Sequence, residues 1–155
     1  MRHVEVKDDL WPLICNFFFW FSRFESALKE NNWLKSDTIG ATALADWKSF
    51  VEAYAGDYAP SDAAERLIAA NPQKQIVTEG GLTFTDVTFK DSDSQLDRVA
   101  LLLKTVRNNL FHGGKHGSAY WDDAERIRLL LPLCITVLDE LAERGEMQAD
   151  YTGYY

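Results

Sequence analysis

Residues 10–21 constrain the fold of this chain more than any other segment, because they form its longest apolar run, interrupted by a single asparagine. Asp8 or Asp9 can cap the start of a helix, and Pro12 is tolerated in the opening turn. The part from 13 to 21 is apolar nearly all round, so the helix that it forms must be covered on more than one side. We expect a central position in a helical bundle or a partner subunit to provide that cover.

The same run is too short to span a bilayer, which takes roughly 20 apolar residues. Charged residues precede it and no small-residue cleavage site follows, so we expect neither a membrane span nor a signal peptide, and a cytoplasmic protein. A length of 155 residues with 46% hydrophobic and 26% charged residues is typical of one globular domain. The two cysteines, Cys15 and Cys134, lie in apolar helical stretches and are expected to be buried free thiols.

Apolar spacing predicts an all-α bundle of about five helices. Leucines, valines and aromatics recur at three and four residues, and capping or stop signals bound them. The predicted helices cover about residues 9–31, 40–55, 61–70, 94–112 and 118–144. The fourth is expected to end at Gly113 and Gly114, and the fifth to be kinked at Pro132.

Between the third and fourth helices the pattern changes to that of a small β-hairpin or extended insertion, around residues 73–90. Residues 76–78 and 82–84 suit two short strands, the glycines after Glu79 suit the turn, and Val87 and Phe89 can extend the second strand. We expect one domain over residues 1–147 and a loose tail over 148–155.

The segment 105–116, TVRNNLFHGGKH, carries the most chemical information. Asn108 and His112 lie four residues apart on the predicted fourth helix, and Arg107 lies about 100° to one side. Arginine matches phosphate oxygens with a planar fork of donors, and histidine exchanges a proton near neutral pH. Such a set suits attack by a ribose 2′-hydroxyl on the adjacent phosphate, without a metal or cofactor.

A structural explanation of this segment is also open. Positive groups near a helix C-terminus are favoured by the helix dipole, by about 0.3–1 kcal/mol each, which is reason enough for His112, Lys115 and His116. Arg107 would then pair with an acid. By position, Asn109, Lys115 and His116 are candidates for further substrate contacts.

The sequence Arg107-Asn108-Asn109-Leu110-Phe111-His112 resembles the signature of the HEPN superfamily, in which four to six residues separate an arginine from a histidine, often with a polar residue directly after the arginine. The glycines and lysine that follow resemble many prokaryotic members. Residues 21–29, FSRFESALK, resemble the first helix of small stand-alone HEPN proteins.

This resemblance implies a helical bundle that forms a homodimer, in which two motifs meet in one composite site. It implies a metal-independent endoribonuclease that leaves 2′,3′-cyclic phosphate ends and acts in phage defence or a toxin–antitoxin system, and it leaves open whether an antitoxin or another protein is a partner. Arg107 would bind the scissile phosphate, His112 would transfer the proton, and Asn108 would fill the polar position after the arginine.

Two rival functions stay open. A non-catalytic HEPN module would bind RNA, a nucleotide or a protein partner, and a plain structural domain would use the motif only to end a helix. A net charge of −8 argues against RNA binding through bulk charge, although not against a local basic site. Arg23 and Glu25 are better explained by a salt bridge than by catalysis, and most of the five tryptophans by packing.

Overall fold

The computed structural model describes residues 9–112 and 124–154, apart from the side chain of His112. Six helices and one two-stranded sheet occur in this part of the chain. They are α1 (Leu10–Glu30), α2 (Trp47–Tyr54), α3 (Asp62–Ala70), β1 (Lys74–Thr78), β2 (Gly81–Thr85), α4 (Gln95–His112), α5 (Ala124–Arg144) and α6 (Gln148–Thr152). The expectation of a mainly helical fold with a small hairpin is therefore confirmed.

One face of α1 lies in the middle of the helix packing. The helix packs along α5 and against α6, while α5 also packs on α3, and α4 contacts α2 and α3. The residues of α1 that are buried by these contacts are Leu10, Ile14, Phe17, Phe21, Phe24, Ala27 and Leu28. Among the described residues the bundle covers this side of α1 most fully, because Trp11, Phe18 and Phe19 on other faces are about half exposed.

The C-terminal segment is ordered, so the prediction of a loose tail from residue 148 is wrong. Helix α6 buries Tyr151, whose ring packs against Trp20 and Phe24 and whose hydroxyl donates to Asp139. Arg23 donates hydrogen bonds to the backbone carbonyls of Asp150 and Tyr151. The sequence shows too little apolar periodicity in this short segment to indicate that one aromatic ring anchors it.

Helix α2 is shorter than predicted. Residues 40–46 are not helical, because Asp46 is the N-cap and its carboxylate accepts hydrogen bonds from the backbone N–H groups of Lys48 and Ser49. Leu44 fits the helical spacing but is half exposed on the preceding loop. A capping aspartate therefore decides the start of this helix against the apolar pattern.

The other predicted starts divide into two cases. Ser61 caps α3 and Ser94 caps α4, so the predicted starts near residues 61 and 94 are confirmed, and Asp97 also accepts from the backbone N–H of Ser94. Asp9 makes no capping hydrogen bond and instead forms an ion pair with Arg128 of α5. The predicted start of the last helix at residue 118 and the glycine stop at 113–114 lie outside the described residues.

The predicted hairpin is confirmed. Strands β1 and β2 pair antiparallel, with Thr78 opposite Gly81, so that Glu79 and Gly80 make the turn. Gly81 has a φ of 112°, which a residue with a side chain rarely adopts. Val87 does not extend the strand but is buried in the helical core.

The two cysteines have different surroundings. Cys134 is fully buried on α5, and its burial raises the pKa of the thiol well above the usual range. Cys15 is exposed on α1, so the prediction that it is buried is wrong. Within the described ranges, none of the helices combines the length and the apolar character that crossing a bilayer requires.

The burial of α6 makes a prediction about stability. Replacing Tyr151 by alanine removes a buried ring and its hydrogen bond, so we expect unfolding free energy to fall by about 3–4 kcal/mol in urea titrations. Tyr154→Ala is the matched control, because Tyr154 is 84% exposed. Equal midpoints for the two variants would show that α6 contributes nothing to the core.

Candidate functional site

The second half of α4 carries the predicted arginine and its polar neighbour. Arg107 is half-buried, its guanidinium lies over the ring of Phe21 at 5.6 Å, and its Nη1 donates to Oδ1 of Asn108 at 2.9 Å. Asn108 is exposed. The structure therefore brings these two predicted residues together at the surface, with the amide of Asn108 helping to hold the guanidinium.

Asn109 has a different position from the one its place in the motif suggests. Its side chain is 3% exposed and donates a hydrogen bond to the backbone carbonyl of Gln73, just before β1. This bond ties the hairpin to α4. We therefore assign Asn109 a structural role, which corrects the expectation that it contacts substrate.

The other predicted site residues, His112, Lys115 and His116, lie at the end of α4 and beyond it. Helix α4 continues to residue 112, so His112 lies on the same helix as Arg107 and four residues beyond Asn108. Lys115 and His116 lie outside the described residues.

Arg107 lines an open cavity of about 470 Å³ that the motif alone did not indicate. Four lysines share this cavity with it: Lys29 of α1, Lys35 of the following loop, Lys48 of α2 and Lys104 of α4. Lys104 is three residues before Arg107, which is the only hint in the sequence that the two share a face of α4. The other lysines come from distant segments that only the fold brings together.

Two stacked aromatic rings lie under two of these cations, Lys104 and Arg107. Phe21 and Trp47 stack with centroids 5.6 Å apart, and they join α1 to the start of α2. The ammonium of Lys104 lies 5.8 Å from the centre of the Trp47 ring, as the guanidinium of Arg107 lies over Phe21. Both cations are therefore held against the electron-rich faces of aromatic rings.

The two carboxylates in the cavity wall are already engaged. Glu25 accepts a hydrogen bond from the indole N–H of Trp47 at 3.0 Å. Asp46 caps α2, and the hydrogen bond from the Ser49 hydroxyl is the main reason why its pKa lies below the usual value. The salt bridge expected for Arg23 and Glu25 is absent among the described residues, where Arg23 bonds to backbone carbonyls of α6 and Glu25 to the indole.

Most of the cations of the cavity lack an acidic partner. Lys48 forms an exposed ion pair with Glu52, but Lys29, Lys35, Lys104 and Arg107 pair with no carboxylate among residues 9–112 and 124–154. Partial burial, followed by the nearby charge of Lys35, lowers the pKa of Lys104. Asp97 and Glu25 act in the opposite direction but have smaller effects, so the charged form is less favoured here than in water, and an anion in the cavity would favour it.

A short antiparallel bridge fixes the loop that forms one wall of the cavity. Leu34 bridges Ala45, the backbone N–H of Lys35 donates to the carbonyl of Leu44, and that of Asp46 donates to Trp33. Lys35 and the start of α2 are therefore held on the same side of the cavity.

An exposed aromatic patch begins near the end of α4. Phe18 of α1 and Phe111 of α4 pack with ring centroids 5.0 Å apart. Phe18 and its neighbour Phe19 are each 53% exposed. The part of α1 that is apolar all round thus leaves two large rings accessible beside the motif helix.

The tryptophans have packing roles where they are described. Trp47 is buried, and Trp20 and Trp33 pack at the edge of the core. Trp11 is about half exposed, and Trp121 lies outside the described residues. In the part of the chain that the structure describes, no three His, Cys, Asp or Glu side chains are grouped to hold a metal ion.

Comparison of the chain with protein-family models, curated proteins and solved structures finds no match. The residues of the site itself are therefore the basis on which a function can be inferred.

The two neighbouring asparagines make a matched pair for a stability test. Asn109→Ala leaves the part-buried Gln73 carbonyl without its donor, and we expect it to lower the unfolding free energy by about 1–3 kcal/mol. Asn108→Ala removes an exposed amide and should leave the urea midpoint unchanged. The reverse order of the two midpoints would contradict the structural role of Asn109.

Proposed function

We propose that this chain is a metal-independent endoribonuclease of the HEPN type that acts as a homodimer in prokaryotic defence or a toxin–antitoxin system. The position of Arg107 carries the proposal, since the arginine of the HEPN-like motif lines a cavity rich in unpaired cations. Asn108 lies beside it, and the same helix extends to His112. A cytoplasmic setting belongs to the same proposal.

The chemistry proposed for the site is transesterification within RNA. The 2′-hydroxyl oxygen attacks the adjacent phosphorus and the bond to the 5′-oxygen breaks, which gives a 2′,3′-cyclic phosphate and a 5′-hydroxyl end. Arg107 stabilises the charge that develops on the phosphoryl oxygens. His112 transfers the proton, as its ordinary pKa near ~6.5 suits. Asn108 orients the guanidinium through the hydrogen bond that it accepts.

The cavity also suits the alternative, a HEPN module that binds RNA, a nucleotide or a protein partner without cleavage. A purely structural role for the motif has less support. If Arg107 only stabilised the fold, an acidic partner would be expected, and none of the described carboxylates pairs with it.

Cleavage assays separate these functions. With mixed labelled RNAs in EDTA, wild-type protein should give cyclic phosphate ends, and His112→Ala should reduce the rate at least about 100-fold because proton transfer is lost. Arg107→Ala should cause a loss of similar size. Arg66→Ala is the control, since it removes an exposed arginine on α3, which does not line the cavity.

Two results would contradict the catalytic function. If His112→Ala cleaves RNA at the wild-type rate, the motif does not take part in the reaction. Wild-type protein that binds RNA through Arg107 but cleaves none of the substrates would favour the non-catalytic module.

The exposed rings of α1 support the homodimer. Phe18 packs against Phe111, one residue before His112, so a partner that covered this patch would lie next to the motif. Burial of two half-exposed phenylalanines would also provide the second cover that the apolar part of α1 lacks.

The homodimer makes its own prediction. Phe18→Glu places a charge in the proposed interface, so we expect the protein to sediment as a monomer in analytical ultracentrifugation and to lose RNA cleavage together with the dimer. Leu82→Glu is the control, because Leu82 is 65% exposed near the turn of the hairpin. A Phe18→Glu variant that remains dimeric and active would place the interface elsewhere.

A further inference from the structure

We infer that Lys29, Lys35 and Lys104 form a subsite for the RNA strand, in which they bind backbone phosphates that neighbour the one held by Arg107. This inference rests on the proposed function. It identifies the residues that bind the RNA strand at phosphates other than the one where cleavage occurs. The subsite is defined by the cavity of about 470 Å³, whose wall contains all four side chains.

The charges of the cavity favour an anionic ligand over any other kind. Its two carboxylates are occupied, Glu25 by the indole of Trp47 and Asp46 by the start of α2. The three lysines pair with no carboxylate of the described residues. Both carboxylates keep their negative charge, because the groups that donate to them are neutral. The cavity nevertheless favours an anionic ligand, because five cationic side chains line it against these two carboxylates.

The spacing on α4 favours a ligand with more than one anionic group. Lys104 and Arg107 are three residues apart, so their Cβ atoms lie about 5–6 Å from each other on one face of the helix. Each side chain is placed over its own aromatic ring, Trp47 for the lysine and Phe21 for the arginine. Two cations held side by side in this way can contact successive groups of a polyanion.

The cavity is suited to binding the phosphate backbone of a strand and not to contacting its bases. Trp47 is only 6% exposed and Phe21 only 3%, so neither ring offers a face on which a base can stack. Phosphate contacts position a nucleic acid without selecting its sequence. We therefore expect this subsite to contribute affinity that is independent of sequence.

The charged form of Lys104 is less favoured than that of a lysine in water. Its partial burial and then the charge of Lys35 lower its pKa, and the opposing effects of Asp97 and Glu25 are smaller. A bound phosphate would reverse this effect by placing a negative charge next to it.

The test uses binding without cleavage. A fluorescent 2′-O-methyl oligonucleotide cannot react through a 2′-hydroxyl, so its anisotropy reports binding by the intact protein over a series of salt concentrations. Each phosphate contact to a single strand adds about 0.7 to the slope of log affinity against log salt, which corresponds to about fivefold in affinity near ~0.1 M salt. We expect Lys104→Gln to lose about that much in both quantities.

Matched variants separate this effect from a change in total charge or folding. Lys90→Gln removes the same charge from an exposed lysine that does not line the cavity, and it should bind as the wild type does. Lys104→Arg keeps the charge and should keep the slope. Lys35→Gln alters an exposed side chain of the cavity and should show the same loss as Lys104→Gln, even if the latter variant fails to fold.

The inference is overturned if the cavity variants bind with the affinity and slope of Lys90→Gln, or if the wild type does not bind the oligonucleotide at low salt. Failure of the proposed function would look different. If no RNA is cleaved but binding depends on Lys104 and Lys35, the phosphate subsite stands and the catalytic function falls.

Discussion

The stack of Phe21 on Trp47 is the interaction on which the candidate site depends. It joins α1 to the start of α2 and forms the surface over which Arg107 and Lys104 lie. Glu25 fixes the indole by accepting its N–H, so the ring cannot turn without losing a hydrogen bond. A single aromatic pair thus sets both the packing of two helices and the direction of two cations on a third.

The sequence predicts the helices whose apolar faces are long and the caps whose geometry is local. The sequence predicts a helix that starts near residue 94, and the structure confirms this start, with Ser94 as its cap. Where a capping residue lies inside an apolar pattern, the pattern predicts the start of the helix wrongly. Leu44 continues the spacing of α2, but Asp46 starts the helix after it, because its carboxylate satisfies backbone donors that would otherwise lack partners. Tyr151 shows the opposite case, in which one buried ring fixes a segment that has no periodic pattern to detect.

The candidate site also has one part that the sequence predicts and another part that only the fold reveals. Arg107 and Asn108 are visible in the sequence as adjacent polar residues of the motif, and the structure joins their side chains by a hydrogen bond. The cavity beside them does not follow from the sequence, because Lys29, Lys35 and Lys104 are brought together by the packing of α1, the bridge between Leu34 and Ala45, and α4. Asn109 shows a further limit, since neighbouring residues of a helix point in different directions and only the packing decides which one is buried.

The acidic composition of the chain and a polyanionic ligand are compatible once distances are considered. At physiological salt, a charge is largely screened beyond about 8 Å, so a net charge of −8 spread over the surface has little effect inside one cavity. Within the cavity, five cationic side chains face two carboxylates, and both carboxylates are bonded to other groups. An RNA strand would therefore be repelled weakly by the whole molecule and attracted strongly at one place. Such a protein would bind nucleic acid weakly over most of its surface and strongly at Arg107. This is the position at which the proposed reaction requires the RNA strand.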